Sequence, residues 1–423
     1  MAESKYLITK CNLVPNGCSL EKEYSIKDGA FSINYFESIE SPSISMTLSF
    51  FDTDQVVSRE GLTGGELIEL TIKDGDEDEF KITKKHRMVV NAVTNVITSD
   101  NGQVATLECV TMESVINETT RLNQRFSGNI SEIVEKILTS TNKKGNKFTE
   151  KKLFGPKTQT LSDGSTINGD RATNAYSFVS NLKHPFDTVQ WLCPKTQSEK
   201  GFGFLFYENL DGYHFRSIDG LFDQDAYRYQ KAGRPLIDDG KILEQNLDQS
   251  NDISMNLRLG MYANKTIYID IENQTARVDD FNINKLKLRK PLKLMDGLEE
   301  HPTRLMLKAS DVGVAQKGSK KDDTTPLSEL DEYRSKTYIR NNLLFSQSFV
   351  ISIPLNTKLR VGELIDVRLP IKKGDGDKPA DSYGNDKTND PSGTYLISEL
   401  RHTMSGKEIG QTDVKLIRDV FTA

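Results

Sequence analysis

Long apolar runs are missing from this sequence. No stretch approaches the roughly 18 uninterrupted apolar residues that a bilayer-crossing helix needs, so no membrane insertion is expected. Near Met1 the charges of Lys5, Lys10 and Glu21 interrupt any apolar core of a secretory leader. Cysteine is scarce and scattered: Cys11, Cys18, Cys109 and Cys193 form no C-x-x-C pair. That spacing excludes clustered thiol ligation, and a disulfide framework is unusual in a chain of this size made in a reducing compartment. Cys11 and Cys18 are near enough in sequence to bridge a turn, but the expectation is four free, mostly buried thiols. An excess of positive charge is absent as well. Lys and Arg number 55 against 61 Asp and Glu, a net charge of −6, which argues against the concentrated basic face of a nucleic-acid grip.

The spaced motifs of catalysis are also lacking. His86, His184, His214, His301 and His402 are far apart, and none stands in an H-E-x-x-H arrangement. Asp74, Asp76, Asp78 and Glu79 suggest a calcium loop, but such a loop wants Gly at its sixth position, where this run has Glu79. A solvated hairpin tip is the expectation there. Asp375, Asp377, Asp381, Asp386 and Asp390 have no ligand spacing either. Gly201-Phe202-Gly203 lacks the third glycine of a dinucleotide fingerprint and precedes a strand rather than a helix. No Walker A run and no G-x-S-x-G is present. Paired carboxylates for glycoside hydrolysis cannot be picked out of 61 acids without geometry. The aromatic cluster Phe202, Phe204, Phe206, Tyr207, Tyr213 and Phe215 has no basic surround, so core packing is expected rather than base stacking; Trp191 is assigned to the same core. No catalytic residue, cofactor-binding residue or metal ligand is therefore nominated, and the chain is expected not to be an enzyme.

What is present is β-pattern at both ends. The 423 residues suggest two to four compact units. Alternation marks strands at Phe31–Phe36, Ile44–Phe50, Leu67–Ile72, Met88–Ile97 and Val104–Val110, separated by turn pairs such as Asp28-Gly29 and Asn101-Gly102. This reads as an antiparallel barrel or sandwich. The period then changes: Ile130, Ile133, Val134, Ile137 and Leu138 form a helical stripe, with Asn129 at the N-cap and Glu132 placed for a capping box. Residues 141 to 172 read as a long surface loop. A helix is expected from Pro185 through Val189 and Leu192, then a hairpin around Asn209-Leu210-Asp211-Gly212. Strands are expected at Met255–Met261 and Thr266–Ile271, a charged irregular stretch over 283–326, and a helix from Pro326 to about Leu343. Strands resume at Ser348–Ile353, Leu364–Leu369, Thr394–Arg401 and Thr412–Ile417, with Lys372–Gly393 as an exposed loop.

An internal repeat links the two ends. Gly65-Glu66-Leu67-Ile68-Glu69-Leu70-Thr71-Ile72 matches Gly362-Glu363-Leu364-Ile365-Asp366-Val367-Arg368-Leu369. Gly102-Gln103 and Gly410-Gln411 then open the last strand of each region. The second interval is longer by about eleven residues, an insertion that fits Lys372–Gly393, where added loop length costs little. Duplication requires Leu67 and Leu364 to occupy equivalent strands with the same face inward, since a one-residue slip reverses every side chain. Three copies of such a chain would display six similar units, a ring that can join a threefold object to a sixfold one.

Several stretches, taken in order, resemble the phage baseplate hub family, which includes the hub of T-even phages and the equivalent part of type VI secretion spike proteins. They are FESIESPSISMTLSFFDT (36–53), GGELIEL (64–70), RFSGNISEIVEKIL (125–138), HPFDTVQWL (184–192), KGFGFLFYENLDGYHFRSIDGLF (200–222), NTKLRVGELIDVRLP (356–370) and SGTYLISELRH (392–402). The fold expected is mainly β with α+β insertions: two duplicated antiparallel β-barrel tube domains plus two inserted lobes. The divisions expected are 1–112 for the first barrel, 113–227 for an α/β lobe, 228–282 with 344–423 for the second barrel, and 283–343 for an irregular and helical lobe. The resemblance implies a homotrimeric structural hub in the virion's tail baseplate, part of a contractile injection system and assembled in the host cytoplasm. Its implied partners are the central spike protein, a tail tube protein or tube initiator, and the surrounding baseplate wedge proteins, with DNA passing through the channel without specific binding. The alternatives are a tail-associated peptidoglycan hydrolase and a carbohydrate-binding adsorption component.

Overall fold

The computed structural model describes residues 6–15, 23–74, 78–82, 88–99, 102–140, 147–160, 166–231, 241–249, 252–271, 274–285, 297–309, 327–368, 393–406 and 409–418. The first β region runs β1 (Tyr6–Val14), β2 (Tyr24–Ser25), β3 (Ala30–Ser38), β4 (Ser45–Asp52), α1 (Val56–Glu60), β5 (Leu67–Asp74), β6 (Asp78–Ile82), β7 (Met88–Ser99) and β8 (Gly102–Thr111). Each expected strand is there. Four elements escaped the pattern: α1, a single turn, the short strands β2 and β6, and β1, whose YLITKCNLV pairs antiparallel with β5. Alternation sends Met46, Leu48 and Phe50 of β4 inward with Ala105, Leu107 and Cys109 of β8, all buried.

An α/β lobe follows. It holds α2 (Met112–Thr119), β9 (Arg125–Asn129), α3 (Ile130–Leu138), the short strands β10 (Lys152–Phe154), β11 (Gln159–Thr160) and β12 (Thr166–Ile167), β13 (Ala175–Val179), α4 (Pro185–Leu192), the hairpin β14 (Phe204–Asn209) and β15 (Gly212–Ser217), and α5 (Ile218–Leu221). The α3 stripe behaves as its spacing requires: Ile130, Ile133, Val134, Ile137 and Leu138 are all buried. The Asn129 side chain accepts from the Ser131 amide at 3.0 Å, while Glu132 turns outward to Arg171 instead of completing a capping box. Phe126, Phe178, Phe186, Phe204, Phe206, Tyr213 and Phe215 fill the lobe's core, with Trp191 packed at its edge. The surface-loop reading of 141–172 is corrected over its described part. Phe148 and Phe154 are buried, and β10 extends the hairpin sheet by pairing parallel to β15.

The second β region comprises β16 (Ala226–Lys231), β17 (Lys241–Ile242), β18 (Glu244–Gln249), β22 (Gln347–Pro354), β23 (Leu364–Arg368), β24 (Gly393–Ser405) and β25 (Ile409–Arg418). Between β18 and β22 lie α6 (Ile253–Leu259), β19 (Ala263–Asp270), β20 (Thr275–Asn282), β21 (Arg304–Ala309) and α7 (Leu327–Leu344). Here two expectations fail. The strand expected at Met255–Met261 is helix α6, because the Asp252 side chain caps its first turn (Met255 amide, 3.0 Å) and Gly260, at φ +69°, ends it. The sequence pattern assigns residues up to 282 to the second barrel. Instead β19 and β20 join β21 in a separate three-stranded sheet, backed by α7 through a Tyr268–Ser335 hydroxyl contact of 2.9 Å. Apolar alternation alone does not say which sheet a strand joins.

The two β regions pair their strands in the same order: β3-β4-β8-β7-β5-β1 in the first and β18-β22-β25-β24-β23-β16 in the second. The registers agree too. Leu67 and Ile68 face Val89 and Met88, and Leu364 and Ile365 face Leu396 and Tyr395. The Gly65 amide donates to Val90 O at 2.8 Å, and the Gly362 amide to Ile397 O at 3.0 Å. Glu66 and Glu363 each turn back to accept from the amide three residues earlier, of Thr63 (3.1 Å) and Arg360 (2.8 Å). Ile68 and Leu70 point inward, as do Ile365 and Val367. Strand β8 corresponds to β25, although Gly102 and Gly410 sit one residue out of step: Gln103 faces Asp52 where Gly410 accepts from the Leu355 amide. One further difference is that β1 runs antiparallel to β5 whereas β16 runs parallel to β23. The loop expected at Lys372–Gly393 lies outside the described residues up to position 392. Cys11, Cys109 and Cys193 are free and buried, and Cys18 lies outside the described residues.

Removing the α3 cap tests the lobe by itself. Asn129→Ala is expected to cost about 1 kcal/mol, read as a lower denaturation midpoint for Trp191 fluorescence.

Candidate functional site

A dense cluster of buried polar groups lies where the β14–β15 hairpin meets both β regions. Asn209 makes the turn by accepting from the Asp211 (3.0 Å) and Gly212 (3.3 Å) amides. Its amide group then reaches across to Val361 O at 3.3 Å. Glu37, on β3 and 2 % exposed, is the pivot. It accepts from the Tyr35 hydroxyl at 2.7 Å, the Leu210 amide at 3.0 Å and the Val361 amide at 3.0 Å. One carboxylate thus ties the first β region, the hairpin and the second β region together. Burial raises the pKa of Glu37, while Arg360 and the three donors pull it back down. Burial opposes the charge on Arg360, and Glu37, Tyr35 and Asp211 outweigh that and raise its pKa.

A second carboxylate closes the other side. Glu208 is wholly buried and accepts from the Thr111 hydroxyl (2.9 Å), the Ile44 amide (3.3 Å) and the Lys151 ammonium. Lys151 also reaches Glu113 at 2.8 Å, and Glu113 accepts from the Thr149 hydroxyl at 2.8 Å. Burial pushes the Glu208 pKa up to about 7 against the pull of Lys151. Between the two carboxylates the Tyr207 ring stacks on His214 at 4.8 Å and lies against Gly362. Gly362 holds φ +86°, and a Cβ there would overlap the Tyr207 hydroxyl. Here the glycine of the repeat has a second duty, making room for the hairpin.

Glu37, Glu208 and Asn209 each hydrogen-bond to segments far apart in the chain, so the cluster joins the hairpin to both β regions. The histidines fall elsewhere or serve packing. His214 and His402 are buried, His184 Nδ1 lies 2.7 Å from Asn117 O, His301 is exposed, and His86 is outside the described residues. Asp74 and Asp78 face each other at the ends of β5 and β6, and Asp76 lies outside the described residues. No residue of the interlock was nominated from sequence. The available signal was polarity out of phase: Glu37 stands on the inward side of an alternating strand, and Glu208 ends an aromatic run.

Two apolar surfaces face solvent. On the three-stranded sheet, Ile269, Val278, Leu305 and Leu307 share the face turned away from α7. On the first β region, Phe51, Val104 and Ile97 lie side by side across β4, β8 and β7, with Phe51 and Ile97 exposed.

No family model and no curated protein matches the chain. Among solved structures, the tail protein from Neisseria meningitidis is similar over 98 % of this chain and 97 % of its own, with a TM-score of 0.54 at 10 % identity. The fold is that of a tail protein. The 43 kDa prophage MuSo2 tail protein from Shewanella oneidensis is similar at TM-score 0.49, with 12 % identity over 98 % of this chain and 99 % of that one. An Escherichia coli component of the type VI secretion system, described as structurally similar to T4 phage tail proteins, reaches 0.45 at 11 % identity over 96 % and 76 %. The two β regions and two lobes that the interlock joins thus share their fold with the Neisseria meningitidis tail protein.

Two measurements probe the interlock. Gly362→Ala is expected to cost about 3 kcal/mol or more, combining overpacking with backbone strain, and Tyr207→Phe should restore part of that loss by removing the hydroxyl. Glu208 also sets a pH dependence. Its folded pKa lies above the ordinary carboxylate value, so its contribution is full at low pH and is lost as pH rises through about 7. The wild-type melting temperature should fall over that window, and Glu208→Gln should flatten the profile.

Proposed function

We propose that the chain is the structural hub of a contractile phage tail baseplate: a homotrimeric adaptor that joins the hexameric tail tube to the trimeric central spike and performs no catalysis. The observation that carries this reading is the register-matched pair of β regions within a chain of tail-protein fold. A duplicated tube barrel accounts for the agreement in strand order, in the Gly65 and Gly362 contacts and in the Glu66 and Glu363 turns. Three copies would then present six such barrels in a closed ring. In this reading the barrels are residues 1–112 and 226–249 with 345–423, and the lobes are 113–225 and 252–344. The spike protein, a tube protein or tube initiator and the wedge proteins are its neighbours in the virion, and DNA passes along the axis.

Light scattering on the purified chain, followed by class averages in negative stain, tests the reading. A trimeric mass and a ring with six lobes of density are expected. A monomer or dimer at every concentration, or clearing of cell-wall substrate by the pure chain, overturns it.

A further inference from the structure

Inside one chain, the two β regions are joined by a strand pair. Residues Ser32–Ser38 of β3 run antiparallel to Glu399–Ser405 of β24, with His402 opposite Tyr35 and Met404 opposite Ile33. By strand order, the counterpart of β3 in the second region is β18, and the counterpart of β24 in the first is β7. Among the described residues, β18 pairs only with β22. The β7 segment from Ala92 to Ser99 pairs only with β8. The joint is therefore used once, and both elements needed to make it again stand open. We propose that β7 of one copy pairs with β18 of a neighbouring copy, repeating the β3–β24 joint between subunits.

The register follows from the matched neighbours. Ser32, Ile33, Asn34 and Phe36 of β3 face Ser49, Leu48, Thr47 and Ser45, and their counterparts Glu244, Gln245, Asn246 and Gln249 face Ser352, Ile351, Val350 and Ser348. Likewise Thr94, Ile97, Thr98 and Ser99 stand to β8 as Arg401, Thr403, Met404 and Ser405 stand to β25. Carrying the β3–β24 pairing across sets Thr94 opposite Gln249, Ile97 opposite Asn246, Thr98 opposite Gln245 and Ser99 opposite Glu244.

An independent feature fits this register. Relative to β24, β7 carries one extra residue between Thr94 and Ile97, a bulge with Asn95 at φ +51°. Relative to β3, β18 carries one extra residue between Asn246 and Gln249. The two insertions fall opposite each other, so two residues face two residues and the ladder continues without a slip. A bulge in one strand alone would have broken it. Both edges also carry apolar side chains in solvent: Val96 at 45 %, Ile97 at 66 % and, beside β18, Leu243 at 46 %. A long edge with such side chains is a template for another chain, and a heterologous pairing repeated through a closing rotation forms a ring.

This inference rests on the ring reading, and the experiment separates the two. Full-length chain carrying Thr98→Cys and Gln245→Cys is oxidised and run on a denaturing, non-reducing gel, with each single variant as a control for native thiols. A covalent trimer is expected, and covalent dimers when the two single variants are mixed. The slipped pair Ile97→Cys with Gln245→Cys should stay largely uncrosslinked, since a one-residue shift turns the side chains to opposite faces. The reduced double variant should melt like the wild type. A trimer by light scattering with no crosslink, or with crosslinking in the slipped pair, overturns the pairing and leaves the ring. A crosslink within single chains, or a monomer throughout, overturns it as well, and a monomer removes the ring with it.

Discussion

The architecture turns on a buried carboxylate. Glu37 lies in the β region nearest the N-terminus, yet two of its three hydrogen bonds go to segments far along the chain, Leu210 and Val361. Burying a carboxylate is costly unless donors surround it, and removing one donor leaves that cost uncompensated. The group therefore enforces a coincidence: hairpin tip, β3 and the Val361 turn must all arrive together. Glu208 repeats the device at the turn before β4 and the end of β8. Because β3 also pairs along seven positions with β24, the two β regions share one apolar core instead of forming two bodies on a linker.

That arrangement explains what could be read from the sequence and what could not. Strands β3, β4, β5, β7 and β8 and strands β22 to β25 alternate strongly enough that their positions follow from period alone, whereas β16 to β18 do not, and the G-E-L-I repeat marks equivalent turns because both need a positive-φ glycine before an inward-turned strand. Helix α3 was legible for the same local reason. Strand β1 was not, since a bulge between Ile8 and Lys10 shifts the phase of its alternation part-way along. Nor was α6, where the cap at Asp252 and the stop at Gly260 outweigh a strand-like composition. The assignment of β19 failed differently: its pattern was right, but sheet membership is decided by long-range pairing that one sequence does not display. The interlock was invisible for a related reason. Glu37 and Glu208 are two acids among 61 until the hairpin brings their partners to them.

The matched β regions are alike in backbone and unlike at their rims. Phe51 and Val104, adjacent on the outer face of the first region, correspond by pairing to Pro354 and Gln411 in the second. A heterologous contact places different residues on its two sides, so the two regions of a repeat are free to diverge where they meet different neighbours. The backbone constraints, by contrast, are kept in both. Different rims on a shared strand order fit the duplication proposed above.

Placement of the lobes carries the same logic to the ends of the strands. The first lobe docks on Ser41 and Ile44, in the turn between β3 and β4, and on Thr111 at the end of β8. The second lobe is inserted between β18 and β22, the counterparts of β3 and β4, so it leaves the second region at the matching end. Gly65 and Gly362 lie at that end as well, opposite Val90 and Ile397. Both lobes therefore gather at one end of the strand bundle, while Asp52, Gln103, Leu355 and Gly410 mark the other, which carries no inserted lobe among the described residues. A body with a plain strand end and a lobed end offers two chemically distinct faces along one axis. The adaptor role proposed above needs that polarity, and in this chain two such faces arise from where two insertions fall in a matched strand order.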